Sequence, residues 1–178
     1  MNREELEHAI RAACDVAEDH EVWVFGSQAI LGGHPDASES LRRSAEADVA
    51  PKNFPDRVDR IDGALGELSQ FHRTFGFYVH GLPVEAATLP GGWQERAVRV
   101  PGKGGTSSTG WCLEAHDLAA SKLAAFRAKD RDFVRILLVE KLVSARELLD
   151  RIEALEVAER SRSRITAWVQ TTARGLAG

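Results

Sequence analysis

One sequence feature constrains the fold and function of this chain most. An apolar segment typical of a buried strand ends at a glycine, and two carboxylates follow about twenty residues later in an extended segment. The apolar run 22–25 ends at Gly26-Ser27, and Glu46 and Asp48 follow. Residues at i and i+2 of a strand share a face, so both carboxylates leave the same side of the sheet. A glycine lets the backbone approach phosphates, N–H groups at a helix start attract anions, and carboxylates bind Mg²⁺. The pattern therefore predicts a site for a nucleotide and its magnesium.

Length and composition are those of an ordinary globular protein. The 178 residues suit one domain, or one domain with a small helical appendage, and 28% of them are charged. No apolar run reaches the roughly 18 residues that span a bilayer, and the charged N-terminus shows no signal peptide. The two cysteines lack a short spacing, and no two of the six histidines are four residues apart. We therefore expect a cytoplasmic protein without a zinc motif or a disulfide framework.

Charge is distributed unevenly along the chain. Residues 1–120 carry 11 Lys and Arg against 19 Asp and Glu, whereas residues 121–178 carry 12 against 8, for a net charge of −4. An acidic part suits metal ions, and a basic helical part is able to contact phosphates. Solvated helix faces explain the same distribution, so both interpretations stay open.

The order of elements predicts an α+β fold. Helical spacing of apolar residues covers 3–19 and 56–69, and short apolar segments predict strands at 21–25, 46–50, 75–79, 84–88 and 111–113. From His116 the pattern is helical almost to the end, and Asp117 is the expected cap of the first of these helices. We expect a small mixed sheet with flanking helices over 1–115, followed by a helical C-terminal part over 116–178.

These motifs resemble those of the nucleotidyltransferase (polymerase beta-like) superfamily. Gly26-Ser27 is followed by Glu46-x-Asp48 and by Glu85, a lone acidic residue in the apolar segment 82–87. The resemblance implies a two-metal Mg²⁺ site held by Glu46, Asp48 and Glu85, with Glu85 also orienting the acceptor hydroxyl. The superfamily usually has aspartate where this chain has Glu46. The extra methylene moves the ligand by roughly 1.5 Å, which bears on metal geometry and on activity.

A second similarity narrows the subfamily. Arg43 and Ser44 before Glu46-x-Asp48 resemble a segment of the AbiEii/MenT-type toxin nucleotidyltransferases, and residues 117–132 resemble their helical motif. The resemblance implies that both segments carry nucleotide-binding residues, which are Arg43, Ser44, Lys122, Lys129 and Asp130. It also implies a catalytic role for Lys122. Lys122 and Lys129 are seven residues apart, which places them on one helical stripe about 10 Å apart, suited to two phosphates. An amphipathic surface helix with charge pairs is the alternative.

The leading hypothesis is an Mg²⁺-dependent nucleotidyltransferase that moves a nucleoside monophosphate from an NTP to an acceptor hydroxyl. The toxin resemblance implies a tRNA 3′ end as acceptor and a cognate antitoxin protein as partner. Three alternatives stay open. In the first alternative, the acceptor is a small molecule or a protein side chain. In the second, the chain is a nucleotidyltransferase-like binding protein without catalytic activity. In the third, it is an α+β domain whose carboxylates are only solvated.

Overall fold

The protein is described by a computed structural model that covers residues 1–104 and 107–177. Five strands form one sheet: β1 (Glu21–Phe25), β2 (Glu46–Pro51), β3 (Tyr78–Gly81), β4 (Val98–Pro101) and β5 (Thr109–Cys112). The helices before β5 are α1 (Arg3–Ala17), α2 (Ile30–Gly33), α3 (Val58–Leu65), α4 (Gln70–Phe75) and α5 (Trp93–Arg96). After β5 come α6 (Ala115–Ala125), α7 (Ala128–Val139), α8 (Ala145–Glu153) and α9 (Glu159–Ala177). The predicted α+β class with a helical C-terminal part is confirmed.

The sheet is mixed, as predicted, with strand order β3-β2-β1-β5-β4. The β1 strand runs antiparallel to β2 and parallel to β5, while β3 runs parallel to β2 and β4 antiparallel to β5. The β1 strand is central in this order, and its residues Val22, Val24 and Phe25 are buried.

The described chain divides into two compact units. The first comprises Met1–Ala87 and Ala97–Leu113, and the second comprises Thr88–Arg96 together with the chain from Glu114 onward. The second unit thus begins close to the predicted change at residue 116, but it also includes a segment from the first half of the chain. The functional division of the chain at residues 115 and 116 stays a prediction.

Helix α1 packs on the sheet of the first unit through one apolar stripe. Asn2 Oδ1 accepts a hydrogen bond from Glu5 N, and Glu5 Oε2 accepts one from Asn2 N, which fixes the helix start. The stripe is fully buried and consists of Leu6, Ala9, Ile10, Ala13, Cys14 and Ala17. A Cβ on Gly110 of β5 would overlap the Ile10 side chain, so the absence of that atom permits the close packing of helix and strand.

The second unit is organised around a buried carboxylate. Asp117 is fully buried and accepts two hydrogen bonds from Arg96, at 2.8 and 2.9 Å, while Arg151 Nε lies 3.1 Å away. The expectation that Asp117 caps α6 is wrong. The cap is Glu114, whose carboxylate accepts from His116 N at 2.9 Å and from Asp117 N at 3.3 Å. The Asp117 side chain is occupied by its two arginines instead.

The predicted elements over 56–69 and 84–88 differ from the structure, and the strand expected over 75–79 lies instead at Tyr78–Gly81, after α4. The helix expected over 56–69 is divided into a 3-10 helix (Pro55–Arg57) and α3, and α4 follows as a separate helix. The strand expected over 84–88 does not form, and Val84–Ala86 is a 3-10 helix. Pro83 precedes it with φ −65° and ψ 148°, and proline lacks the N–H that a strand ladder requires.

Candidate functional site

The turn after β1 brings the backbone against a carboxylate. Gly26 has φ +59°, in the region that side chains rarely adopt, and a Cβ there would overlap Asp48 Oδ2. Phe25 is the register partner of Asp48 in the antiparallel β1–β2 pair. Because Gly26 comes directly after Phe25, the turn begins beside Asp48. Ser27 then begins a 3-10 helix, Ser27–Ala29, and the first N–H groups of a helix have no partner within it. Only glycine permits this approach.

Three side chains converge beside that turn. One ligand atom from each of Glu46, Asp48 and His80 lies within 4.8 Å of the other two, and no other such group of three ligands occurs in the described residues. His80 Nδ1 is 3.1 Å from Glu46 Oε1 and 3.3 Å from Asp48 Oδ1. All three side chains are partly exposed, so an ion or a substrate is able to reach them from solvent.

Strand register explains the convergence. Glu46 and Asp48 alternate with the buried Ala47 and Val49, so the carboxylates lie on one face of β2 and the core lies on the other. His80 on β3 pairs with Asp48 in the parallel ladder, and directly paired residues share a face. The sequence reasoning missed His80, because it placed this residue in a turn between two strands. Had the third strand been predicted to end at Gly81 rather than at residue 79, His80 would have been placed on the strand beside β2.

The local field at this face is negative. Tyr78 pairs with Glu46 in the β2–β3 ladder. The pKa of the Tyr78 hydroxyl is raised, first by burial and then by the negative charges of Glu46, Glu67 and Asp48. A cation offsets such a field.

The segment before β2 is held by local hydrogen bonds. Ser44 Oγ accepts from Glu46 N at 3.1 Å, and Ser44 O accepts from Gln28 Nε2 at 3.0 Å. Gln28 is fully buried, so this bond fastens the chain before β2 to the turn after β1. Ser44 therefore positions Glu46, whereas Arg43 is exposed. The nucleotide-binding roles of Arg43 and Ser44 stay predictions.

The structure does not bring Glu85 into this group. Glu85 lies in the 3-10 helix Val84–Ala86, where its side chain is exposed, and not on a strand beside β2. The expectation of a third carboxylate on the neighbouring strand is therefore wrong in its structural premise. The position opposite Asp48 on that strand belongs to His80.

The lysines predicted to bind phosphates do not share a helix. Helix α6 ends at Ala125, Phe126 adopts a left-handed conformation with φ 54°, and Lys129 lies on α7. The predicted stripe of Lys122 and Lys129 is therefore wrong, because a left-handed residue interrupts the helix between them. Their phosphate-binding roles, and that of Asp130, stay predictions.

Lys122 and Asp130 take part in a buried contact of the second unit. Lys122 Nζ lies 3.7 Å from Asp130 Oδ1 and 4.7 Å from the centre of the Phe133 ring. Asp130 is 1% exposed and also accepts from Arg127 Nε at 2.6 Å. Two cations around one buried carboxylate neutralise it, which gives these residues a structural role whether or not they meet a ligand.

Other reactive groups of the described chain are not part of this site. Cys14 and Cys112 are free and buried, and burial raises the pKa of the Cys14 thiol to about 11 and that of Cys112 to about 12. Such thiols stay protonated and unreactive at neutral pH. A separate cavity of about 510 Å³ is lined by residues that include His8, Phe75 and Lys103 and by none of the predicted site residues.

The donor set of Glu46, Asp48 and His80 fits a divalent cation. Two carboxylates and one imidazole are all established metal ligands, and two negative charges balance a doubly charged ion. Two ligands about 2.1 Å from one ion are about 3.0 Å apart at a right angle and about 3.4 Å apart at the tetrahedral angle. The distances from His80 Nδ1 to the two carboxylates, 3.1 and 3.3 Å, lie in this range. The residues present are therefore able to hold a divalent cation.

The comparison with protein families identifies the kind of chain. A family model described as "Nucleotidyltransferase of unknown function (DUF6036)" matches residues 4–173. No curated protein and no solved structure gave a significant match. The family match covers both units, from α1 to the last turns of α9. Among the described residues, no helix combines the length and the apolar character needed to cross a membrane.

Proposed function

We infer that this chain, which belongs to the family of nucleotidyltransferases of unknown function (DUF6036), moves a nucleoside monophosphate from an NTP to an acceptor hydroxyl. One observation carries this proposal. Glu46, Asp48 and His80 converge beside a glycine turn whose backbone lies against the Asp48 carboxylate. Family membership supplies the reaction class, and the convergence supplies residues able to perform it.

In the proposed reaction the acceptor oxygen forms a bond to the α-phosphorus of the NTP, and the bond to the β-phosphate oxygen breaks. Pyrophosphate leaves with that electron pair, and the acceptor hydroxyl gives its proton to a carboxylate of Glu46 or Asp48. Gly26 lets the backbone approach the triphosphate, and the Ser27 N–H and hydroxyl are donors for its oxygens. A divalent cation held by Glu46 and Asp48 would polarise the phosphate and offset its charge.

The proposed acceptor is an RNA hydroxyl. The second unit carries aromatic rings flanked by arginines: Arg131 and Arg164 lie 4.9 and 4.2 Å from the centre of the Phe126 ring, and Arg135 lies 5.8 Å from that of Trp168. The two rings also contact each other edge to face at 6.5 Å. Arginines bind phosphates, and both aromatic rings and guanidinium planes stack on unpaired bases. These groups support RNA over a small molecule or a protein side chain.

The tRNA 3′ end is the acceptor that the toxin resemblance implied, and it is one RNA hydroxyl among several. The toxin role and the antitoxin partner stay predictions, since the family description includes neither. Mg²⁺ is the ion that the sequence led us to expect.

The test combines each α-labelled NTP, with Mg²⁺ or Mn²⁺, with four acceptors: tRNA, other cellular RNA, aminoglycosides and the protein itself. We expect label in RNA together with released pyrophosphate, and loss of both by at least a hundredfold in Asp48→Asn and Glu46→Gln. Asp56→Asn, an exposed carboxylate of the same unit, is the matched control and should keep full activity. Labelling that persists in Asp48→Asn, or no transfer to any acceptor, would overturn the proposal. Glu85→Gln tests the residue predicted as the third carboxylate.

A further inference from the structure

We propose that the site binds a first-row transition cation through His80 Nδ1, and that this nitrogen ligand makes it prefer Mn²⁺ over Mg²⁺. The inference deepens the proposed function, on which it rests for the purpose of the ion. It concerns a residue that no motif in the sequence marked. It depends on the position of His80 opposite Asp48 and on the direction of its ring.

The ring presents the same nitrogen to both carboxylates. Nδ1 lies 3.1 Å from Glu46 Oε1 and 3.3 Å from Asp48 Oδ1. One atom at these distances from two carboxylate oxygens is placed either as the third ligand of a shared ion or as a proton donor between them. These two roles make opposite predictions for cation binding, which makes the inference testable.

A nitrogen ligand changes which ion is favoured. Mg²⁺ requires near-ideal octahedral geometry and binds oxygen ligands and water, whereas imidazole favours first-row transition metals. Affinity at a mixed nitrogen and oxygen site rises from Mn²⁺ along the first row, so the same site should bind Co²⁺ at least as tightly as Mn²⁺. Two carboxylates with a neutral imidazole also leave no excess charge around a divalent ion, whereas three carboxylates would leave one negative charge.

The residues around His80 do not take its place as the third ligand beside Glu46 and Asp48. Tyr78, two pairs along the ladder from His80, contacts the His72 ring at 4.9 Å, so the Tyr78 ring is directed toward α4. The exposed Glu85 lies on the 3-10 helix beyond β3 and is not in the group of three ligands. The Asp48 carboxylate is flanked on one side by Gly26 and on the other by His80. It therefore presents separate oxygens to the backbone turn and to the imidazole.

The experiment measures metal binding without turnover. Purified full-length protein is titrated with Mn²⁺ by electron paramagnetic resonance and with Mn²⁺, Co²⁺ and Mg²⁺ by calorimetry. Pulsed spectroscopy of the bound Mn²⁺ then detects nitrogen coupling. We expect a nitrogen signal from the bound ion and a Kd for Mn²⁺ at least tenfold lower than that for Mg²⁺.

Variants assign the nitrogen to its residue. His80→Gln should abolish the nitrogen signal and weaken Mn²⁺ at least tenfold, while His80→Asp should restore binding and reduce the preference for Mn²⁺ over Mg²⁺. His20→Ala, an exposed histidine of the same unit, should change neither quantity. Circular dichroism and thermal unfolding identify any variant that fails to fold, and two different substitutions at 80 keep the test valid.

Three results would overturn the inference. These are a bound Mn²⁺ without nitrogen coupling, an equal preference for Mn²⁺ in the wild type and His80→Asp, and tighter Mn²⁺ binding in His80→Gln. The last result would identify His80 as an imidazolium that competes with the ion. Failure of the proposed function is distinguishable from these results. A nitrogen-coordinated Mn²⁺ without nucleotide transfer would reject only the activity, and Mg²⁺-supported transfer without nitrogen coupling would reject only this inference.

Discussion

Gly26 and Asp48 lie so close together that there is no room between them for one additional carbon atom. A Cβ at position 26 would overlap Asp48 Oδ2, and the backbone there has φ +59°. The position of this carboxylate and the course of the turn are therefore set together. A change in the turn that is proposed to receive the triphosphate would therefore also displace the carboxylate that is proposed to hold the cation.

Substitution Gly26→Ala tests this dependence. We expect the free energy of unfolding to fall by about 1–3 kcal/mol, because alanine is strained at this backbone conformation and displaces Asp48. Nucleotide transfer and metal binding should both fall at least tenfold. The measurement is denaturant unfolding combined with calorimetry.

Gly33→Ala is the matched control. Gly33 ends α2 only seven residues further along, and a Cβ there meets nothing within 4 Å. This variant should be neutral or slightly stabilising, since alanine favours helix over glycine. Equal effects at the two glycines would show that the contact with Asp48 has no special importance.

The length of the Glu46 side chain should matter as much as its charge. In Glu46→Asp the carboxylate withdraws by roughly 1.5 Å from His80 Nδ1, which now lies 3.1 Å from Glu46 Oε1. We expect Mn²⁺ to bind about tenfold more weakly, with folding unchanged, as measured by calorimetry and thermal unfolding. Tighter binding in Glu46→Asp would show instead that glutamate is the weaker metal ligand at this position.

Asp19 should stabilise the first unit at neutral pH. This carboxylate is 2% exposed, and it accepts hydrogen bonds from Asn53 N at 2.8 Å, Asn53 Nδ2 at 2.7 Å and Glu21 N at 3.1 Å. Burial alone would raise the pKa of Asp19, but these bonds to the charged form outweigh it, and the pKa is lowered. A lowered folded-state pKa means that the unfolded state binds the proton more readily.

The stabilisation by Asp19 is therefore complete above its unfolded pKa and is lost as the pH falls through the lowered folded value. We expect Asp19→Asn to reduce the free energy of unfolding by about 2–3 kcal/mol at pH 7 and by less at pH 3, measured by urea unfolding. Asp15→Asn, an exposed residue of α1, should have little effect at either pH. A loss in Asp19→Asn that is the same at both values would reject a charge-dependent role.

Asp117 should determine the stability of the second unit. It is fully buried between Arg96 and Arg151, and the removal of one member of a buried ion pair leaves charges without compensation. We expect Asp117→Ala to lower the free energy of unfolding by about 3–5 kcal/mol. Asp132→Ala, at an exposed position on α7, should cost less than about 0.5 kcal/mol. Similar costs at the two positions would show that this network contributes little.

The arginine and aromatic cluster of the second unit gives a prediction about the acceptor. Charge reversal in Arg135→Glu or Arg164→Glu should lower the labelling of RNA at least fivefold, because phosphate contacts and stacking are lost together. Binding of NTP, measured by calorimetry, should not change. Arg146→Glu makes the same charge change at an exposed position on α8, outside the cluster, and should leave RNA labelling nearly intact. An equal loss in all three variants would indicate an effect of net charge alone.

Several features followed from the sequence because they depend on local physics. The period-2 spacing of Glu46 and Asp48 put both carboxylates on one face of β2, and the glycine after β1 marked the turn. The helix predicted from residue 3 begins where Asn2 and Glu5 form a capping box. Each of these depends on residues a few positions apart, where the geometry of one strand or one helix is sufficient.

The tertiary structure decided what lies next to these residues. The register of β3 against β2 brought His80 to Asp48, and no spacing within the sequence contains that pairing. The 3-10 helix after Pro83 removed Glu85 from the sheet, and the left-handed Phe126 separated Lys122 from Lys129. The sequence by itself determined which face of a strand is acidic, because side-chain direction alternates along a strand. Only the fold decided which third group completes that face, because partners in a sheet are chosen by the packing of the whole chain.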